Sequence, residues 1–343
     1  MCPMNKLLLL PVFAFLAAVA VAQQADQVGA SPGPGVRYAT DAYPGFDTEG
    51  SAFGPERKEP RWFGFINGPK CGNAADQFVY CQSLDAEGRL SKAAKEYDAL
   101  VREWPTSEEA PKAQLRLAEI RLEEDELDEA LSEYQYLADF YSFRCDYNAT
   151  VDKMYEIASR MRAEGKTIVF FRFRNTVEVR RAYEGCVLRA PGAKWAPAAL
   201  LAVGELREEE EKLEAAVKVY ENLRNLHYGS PEARAAMIRE AEVRMRILDE
   251  CGYNRARCLD TLRFLDMAAD LVDGDDATAL VEKRDAVRGR LEDEAYRAAC
   301  FYDSRMRTKR SAVNAYERFL AEFPESPRAE EIRTRLNELK GAE

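Results

Sequence analysis

The sequence predicts an all-α protein assembled from stacked helix pairs, and three observations carry that prediction. One punctuation recurs: Ala, a Tyr four residues on, a helix stop eight further, then a Ser after two more. It reads Ala93, Tyr97, Pro105, Ser107; Ala130, Tyr134, Ser142 without the closing Ser; Ala216, Tyr220, Tyr228, Ser230; and Ala312, Tyr316, Pro324, Ser326. Tyr183 and Pro191 keep the eight-residue step without the Ala. An Ala and a Tyr four apart share one helix face, where the small side chain admits a neighbouring backbone and the ring fills the space beside it. Second, Tyr97 to Tyr134 and Tyr183 to Tyr220 both span 37 residues, a period of helix-turn-helix arrays in which no unit buries its apolar side alone. Third, no stretch alternates with period two for long enough to propose a sheet.

Taken in order, the chain begins with Lys6 and an apolar run from Leu7 to Ala20, closed by Ala20-Val21-Ala22, small residues of the kind a signal peptidase reads. The run falls short of the roughly 20 residues a spanning helix needs. Residues 1–22 therefore read as a cleaved secretory signal, with an uncleaved membrane helix as the alternative. Residues 23–73 turn to Gly, Pro, Ser and isolated aromatics, as in Ser31-Pro32-Gly33-Pro34-Gly35, a composition that buries too little to offset its ordering entropy. In this flexible lead Trp62-Phe63-Gly64-Phe65-Ile66 is an apolar cluster, placed either on the first helix pair or on a partner.

Residues 74–343 carry the helices. Ala75 to Glu87 and Arg89 to Trp104 form the first pair with Gly88 at the turn, and Ser107 caps the next helix, Glu108 to Glu124, with acids in its first turn where the helix dipole favours them. Leu127 to Tyr141 completes the second pair. A third begins near Ala149 and resumes from Asn175 to Arg189; the fourth spans Lys194 to Glu211 and Leu213 to His227. Ser230 and Pro231 suit the N-cap and first position of the following helix, Glu232 to Glu250. Asn254 to Val272, Ala277 to Met306, Lys309 to Phe323 and a closing Pro327 to Leu339 follow. Tyr134 to Tyr183 is 49 residues, 12 more than the flanking steps, and the surplus falls on Gly165-Lys166-Thr167-Ile168-Val169-Phe170-Phe171-Arg172-Phe173-Arg174. Aromatic and basic residues alternate there, which predicts a short hairpin or extended lip; its rings form an interaction site or fold back onto their own helices.

Pro105-Thr106-Ser107-Glu108-Glu109-Ala110-Pro111-Lys112-Ala113 and the terminal run from Ala312 to Ser326 resemble the tetratricopeptide repeats of the BamD type, the outer-membrane protein assembly lipoproteins of Gram-negative bacteria. The resemblance covers about Ala75 to Leu339 and implies an all-α tetratricopeptide-repeat solenoid of five to six helix pairs with a C-terminal capping helix. It further implies a periplasmic, non-enzymatic subunit at the inner face of the outer membrane, binding a barrel-forming protein and extended client peptides. Periplasmic cell-division and cell-wall scaffolds share the same punctuation. In the tetratricopeptide register set by Ala93 and Ala130, the first helices of pairs one and two turn Phe78, Gln82, Asp85, Lys112, Leu115 and Glu119 to the concave, peptide-binding side; Phe170, Phe171 and Phe173 of the lip are the second candidate surface. The chain departs from the family in lacking a Cys after its signal, where Gln23 follows Ala22. Membrane association then runs through a partner or an aromatic surface.

Composition narrows the remaining classes. The 49 Lys and Arg against 60 Asp and Glu alternate along the helices, so nucleic acid, which needs a basic stripe, is excluded and the charges read as solvated faces. Of seven cysteines beyond the signal, Cys251 and Cys258 flank a turn they could bridge, while Cys81, Cys186 and Cys300 occupy small core positions. No Cys-x-x-Cys pair or phosphate loop occurs, and His227 is the single histidine, so the sequence calls for no metal, cofactor or catalytic triad. An enzyme or ligand-binding protein using an acidic groove is the remaining alternative.

Overall fold

The computed structural model describes residues 43–46, 55–59, 68–164, 166–168, 171–173, 176–305 and 309–341. The expected signal, the Trp62 to Ile66 cluster and Phe170 lie outside them. The described residues form 13 helices and one two-stranded ribbon. These are α1 (Ala74–Ala86), α2 (Leu90–Glu103), α3 (Ala110–Glu123), α4 (Leu127–Phe140), α5 (Tyr147–Glu164), β1 (Lys166–Ile168), β2 (Phe171–Phe173), α6 (Thr176–Arg189) and α7 (Ala196–Glu209). Then come α8 (Leu213–Leu226), α9 (Pro231–Glu250), α10 (Arg255–Leu271), α11 (Asp275–Arg305), α12 (Lys309–Glu322) and α13 (Ala329–Gly341). The chain divides into two compact units between Glu210 and Glu211. Within each, every helix packs against the next in sequence. This is the helix-pair architecture the sequence predicts. No helix among the described residues is long and apolar enough to cross a membrane.

Local chemistry explains the repeat. The turn inside a pair needs one left-handed residue, supplied by Gly88 (φ 72°) and then by Asp125 (φ 61°) 37 residues later; Glu211, at the start of the second unit, is left-handed as well (φ 57°). Arg89 N donates to Leu84 O at 3.0 Å, and Glu126 N to Arg121 O at 2.9 Å, the same bond one period on. The Ala and Tyr of the punctuation are core, with Ala93, Tyr97, Ala130, Tyr134, Tyr183, Ala216, Tyr220, Ala312 and Tyr316 all buried, whereas the helix-stop Tyr228 is exposed. Ser230 caps α9 by accepting from Ala233 N at 3.0 Å, with Pro231 in the first turn. Ser107 accepts from Ala110 N at 3.2 Å but is not the N-cap: that position falls to Glu109, and α3 starts at Ala110 rather than Glu108, because Pro111, which lacks an N–H, sits best at a helix start.

The 12-residue surplus forms the predicted hairpin. β1 and β2 pair antiparallel in the register Lys166↔Phe173, Thr167↔Arg172 and Ile168↔Phe171. Two expectations change. Cys251 and Cys258 are free thiols, the first exposed and the second buried, and Cys300 is half-buried rather than core; Cys81 and Cys186 pack in the interior as expected. The reading of charges as solvated faces also fails at particular sites. Arg189 Nε and Nη2 hold Asp139 at 2.9 and 2.5 Å with both side chains buried. Arg180 bonds Glu184 at 2.8 Å and Glu210 at 2.7 Å, and Arg207 reaches Glu184 at 3.2 Å, all in the interior of the first unit. In the second unit Glu240 is buried between Arg244 (2.8 Å) and Arg224 (3.7 Å).

Candidate partner-binding groove

The first unit presents a groove of about 440 Å³ lined by Phe78, Gln82, Asp85 and Ala86 of α1, Tyr97 of α2 and Arg116 of α3. Asn73 starts α1 by accepting from Asp76 N at 2.8 Å, which sets the helix phase. From there Phe78, Gln82 and Asp85, at steps of four and three, fall on one face. The floor is aromatic: the Phe78 ring lies 5.9 Å from that of Tyr97, tilted by 59°. Burial, reinforced by the charge of Asp85, pushes the Tyr97 hydroxyl far above its usual range, so it stays a neutral phenol.

Arg116 forms the polar wall. Its Nε and Nη2 donate to the two carboxylate oxygens of Asp85 at 2.6 and 2.9 Å, and its Nη1 bonds Glu119 at 3.0 Å and Glu123 at 2.8 Å. The guanidinium fork fixes three carboxylates at once, and its hydrogen bonds hold the Asp85 carboxyl below the usual range. Of the sequence candidates, Phe78, Gln82 and Asp85 therefore line one cavity. Lys112 and Leu115 stand exposed on the same helix as Arg116 without lining that cavity, and Glu119 joins it only through Arg116. Arg116 itself was missed, although it sits four residues after Lys112 on the same helix face.

The arrangement offers a ring for an apolar side chain, the exposed amide of Gln82 as donor and acceptor for a peptide backbone, and the exposed ammonium of Lys112 for an acid. Among the described residues Lys112 makes no ion pair. The lip is built from other elements, the β1–β2 ribbon that carries Phe171 and Phe173. No group of three or more metal-ligating side chains occurs among the described residues. His227 closes α8 at its C-cap, where burial lowers its pKa.

No family model matches the sequence, and no curated protein matches it. Among solved structures the chain is similar to a tetratricopeptide repeat protein from Parabacteroides merdae, at 14% identity over 78% of this chain and 98% of that one, with a TM-score of 0.27. It is also similar to the C-terminal part of a TPR repeat-containing protein from Cytophaga hutchinsonii, at 13% identity over 77% of this chain and 88% of that one, with a TM-score of 0.29. At these scores the likeness carries no argument. The helix-pair assignment rests on the chain's own 37-residue geometry.

Proposed function

We propose that this chain is a tetratricopeptide-type interaction scaffold whose first unit binds an extended segment of a protein partner. The observation that carries the reading is the groove, with its aromatic floor, fixed Arg116 wall and solvent-facing Gln82; beside it α3 exposes Lys112 and Leu115, and together they suit a peptide with one apolar and one acidic side chain. The finer reading is a BamD-like role in the periplasm, assisting insertion of outer-membrane β-barrel proteins; the Ala20-Val21-Ala22 signal and the repeat punctuation support it. The lip of Phe170, Phe171 and Phe173 then helps hold the protein to a membrane-bound partner.

Affinity purification from the native envelope, followed by mass spectrometry, tests both levels. Wild type should retain a barrel-assembly protein, and Lys112→Glu with Leu115→Ala should lose it at unchanged helical content. Recovery of division or cell-wall proteins instead transfers the role to that machinery. Retention of every partner by the double variant and also by Phe78→Ala with Gln82→Ala, two residues of the cavity itself, refutes the groove.

A further inference from the structure

The lead contains a residue that the repeats treat as a ligand. Lys58 Nζ lies 2.9 Å from Asp98 Oδ1 of α2, 2.6 Å from Glu133 Oε2 of α4 and 3.3 Å from Gln114 Oε1 of α3, and 5.2 Å from the centre of the Tyr136 ring. Its side chain is 11% exposed, against 13% and 18% for the two carboxylates. The neighbouring carbonyl of Glu59 accepts from Arg102 at 3.3 Å. An ammonium held by two carboxylates, an amide oxygen and an aromatic face has its charge, hydrogens and desolvation all met.

The first pair shows that this is a built position. Gln77 and Gln114 stand 37 residues apart, both fully buried, and each donates its amide to a glutamate on the following helix: Gln77 to Glu96 at 2.9 Å, Gln114 to Glu133 at 2.7 Å. Each amide oxygen then needs a donor from outside the pair. In the first pair the backbone N–H groups of Lys70 and Cys71 supply it, at 2.8 and 3.0 Å. In the second pair the donor is Lys58, 56 residues upstream of Gln114. Gln114 is two residues from Arg116 on α3, about 200° around the helix, so this site and the groove occupy different sides of that helix.

We infer that Asp98, Gln114, Glu133 and the Tyr136 ring form a lysine-recognition site, filled in cis by Lys58, and that residues 55–59 are thereby a strap locking the lead onto α2, α3 and α4. Trypsin reads the strap directly, because Arg57–Lys58 and Lys58–Glu59 are its own cleavage points, with cleavage after Arg37 as the reference. Asp98→Asn with Glu133→Gln should speed cleavage after Arg57 and Lys58 at least tenfold, relative to that reference, at wild-type helical content. Lys58→Met, which keeps the stem and removes the charge, should speed cleavage after Arg57 as much. Adding it to the carboxylate variant should change nothing further. Unchanged cleavage in the variants, or fully additive effects, would overturn the assignment. A dimeric wild type that Lys58→Met turns monomeric would also overturn it, giving the site to the lead of a second copy.

Discussion

Removing the carboxylate of Asp139 is the sharpest test of what holds the first unit together. Asp139 on α4 and Arg189 on α6 lie on either side of the hairpin insertion, 50 residues apart, and their bidentate contact is 1% exposed on both sides. Asp139→Ala deletes two charge-assisted hydrogen bonds, each worth about 1.5–3 kcal/mol, and leaves Arg189 with the Gly185 carbonyl at 3.0 Å but without that carboxylate. Breaking a buried pair from one side costs about 3–5 kcal/mol. With a urea slope of about 2 kcal/mol per molar, the midpoint should fall by about 2 M. Trp104 and Trp195 lie in the first unit, so in a Trp62→Phe background tryptophan fluorescence follows that unit alone. Asp139→Leu with Arg189→Met should recover most of the loss, since a well-packed apolar pair replaces buried ions at little cost. A midpoint shift below about 0.5 M for Asp139→Ala would refute the reasoning.

Other consequences are smaller. Ala312→Leu should cost about 1–3 kcal/mol by overpacking, and Ser326→Ala about 1 kcal/mol, since its hydroxyl accepts from Arg328 N at 3.0 Å and donates to Glu292 at 2.6 Å; equal, negligible effects in denaturant melts would mean the repeat register is wrong. Gly88→Ala should cost about 1 kcal/mol because of its left-handed backbone, whereas Gly192→Ala, with open space and no positive φ, should not destabilise. Burial pushes the Glu240 carboxyl up to about 7 against the opposing pull of Arg244 and Arg224. A carboxyl whose folded pKa is raised confers stability below its unfolded value that is lost as pH rises toward 7, so protection of α9 amides from hydrogen exchange should fall between pH 5 and pH 8, and Glu240→Gln should flatten that fall.

The repeat register was legible because two residue types with opposite volumes recur on one helix face, and volume is what close helix packing selects. The hairpin was legible as surplus length, since 12 extra residues between helices must go somewhere. The interior ion pairs were not. Arg180 and Glu184 sit four apart, as surface pairs do, and only the neighbouring helices bury them. The α3 start was misplaced for a related reason: Glu108 and Glu109 favour a first helical turn by charge, while Pro111 decides it by the missing N–H.

Half the groove could be read because α1 supplies it alone, so the spacing of Phe78, Gln82 and Asp85 is enough. The other half depends on which residue of α3 reaches across to α1. Periodicity ranks Lys112, Leu115, Arg116 and Glu119 alike; the salt bridge to Asp85 chooses Arg116, and that is a long-range fact absent from any local window. Lys58 is further from legibility still. It is one cation in a Gly- and Pro-rich lead, with no helix to give it a phase. Its partners Asp98, Gln114 and Glu133 come from three helices, so only the folded array shows that they need it. A repeat sequence therefore reveals the surfaces that each pair makes for itself. Those made between pairs, or between a pair and the lead, appear only once the helices are packed.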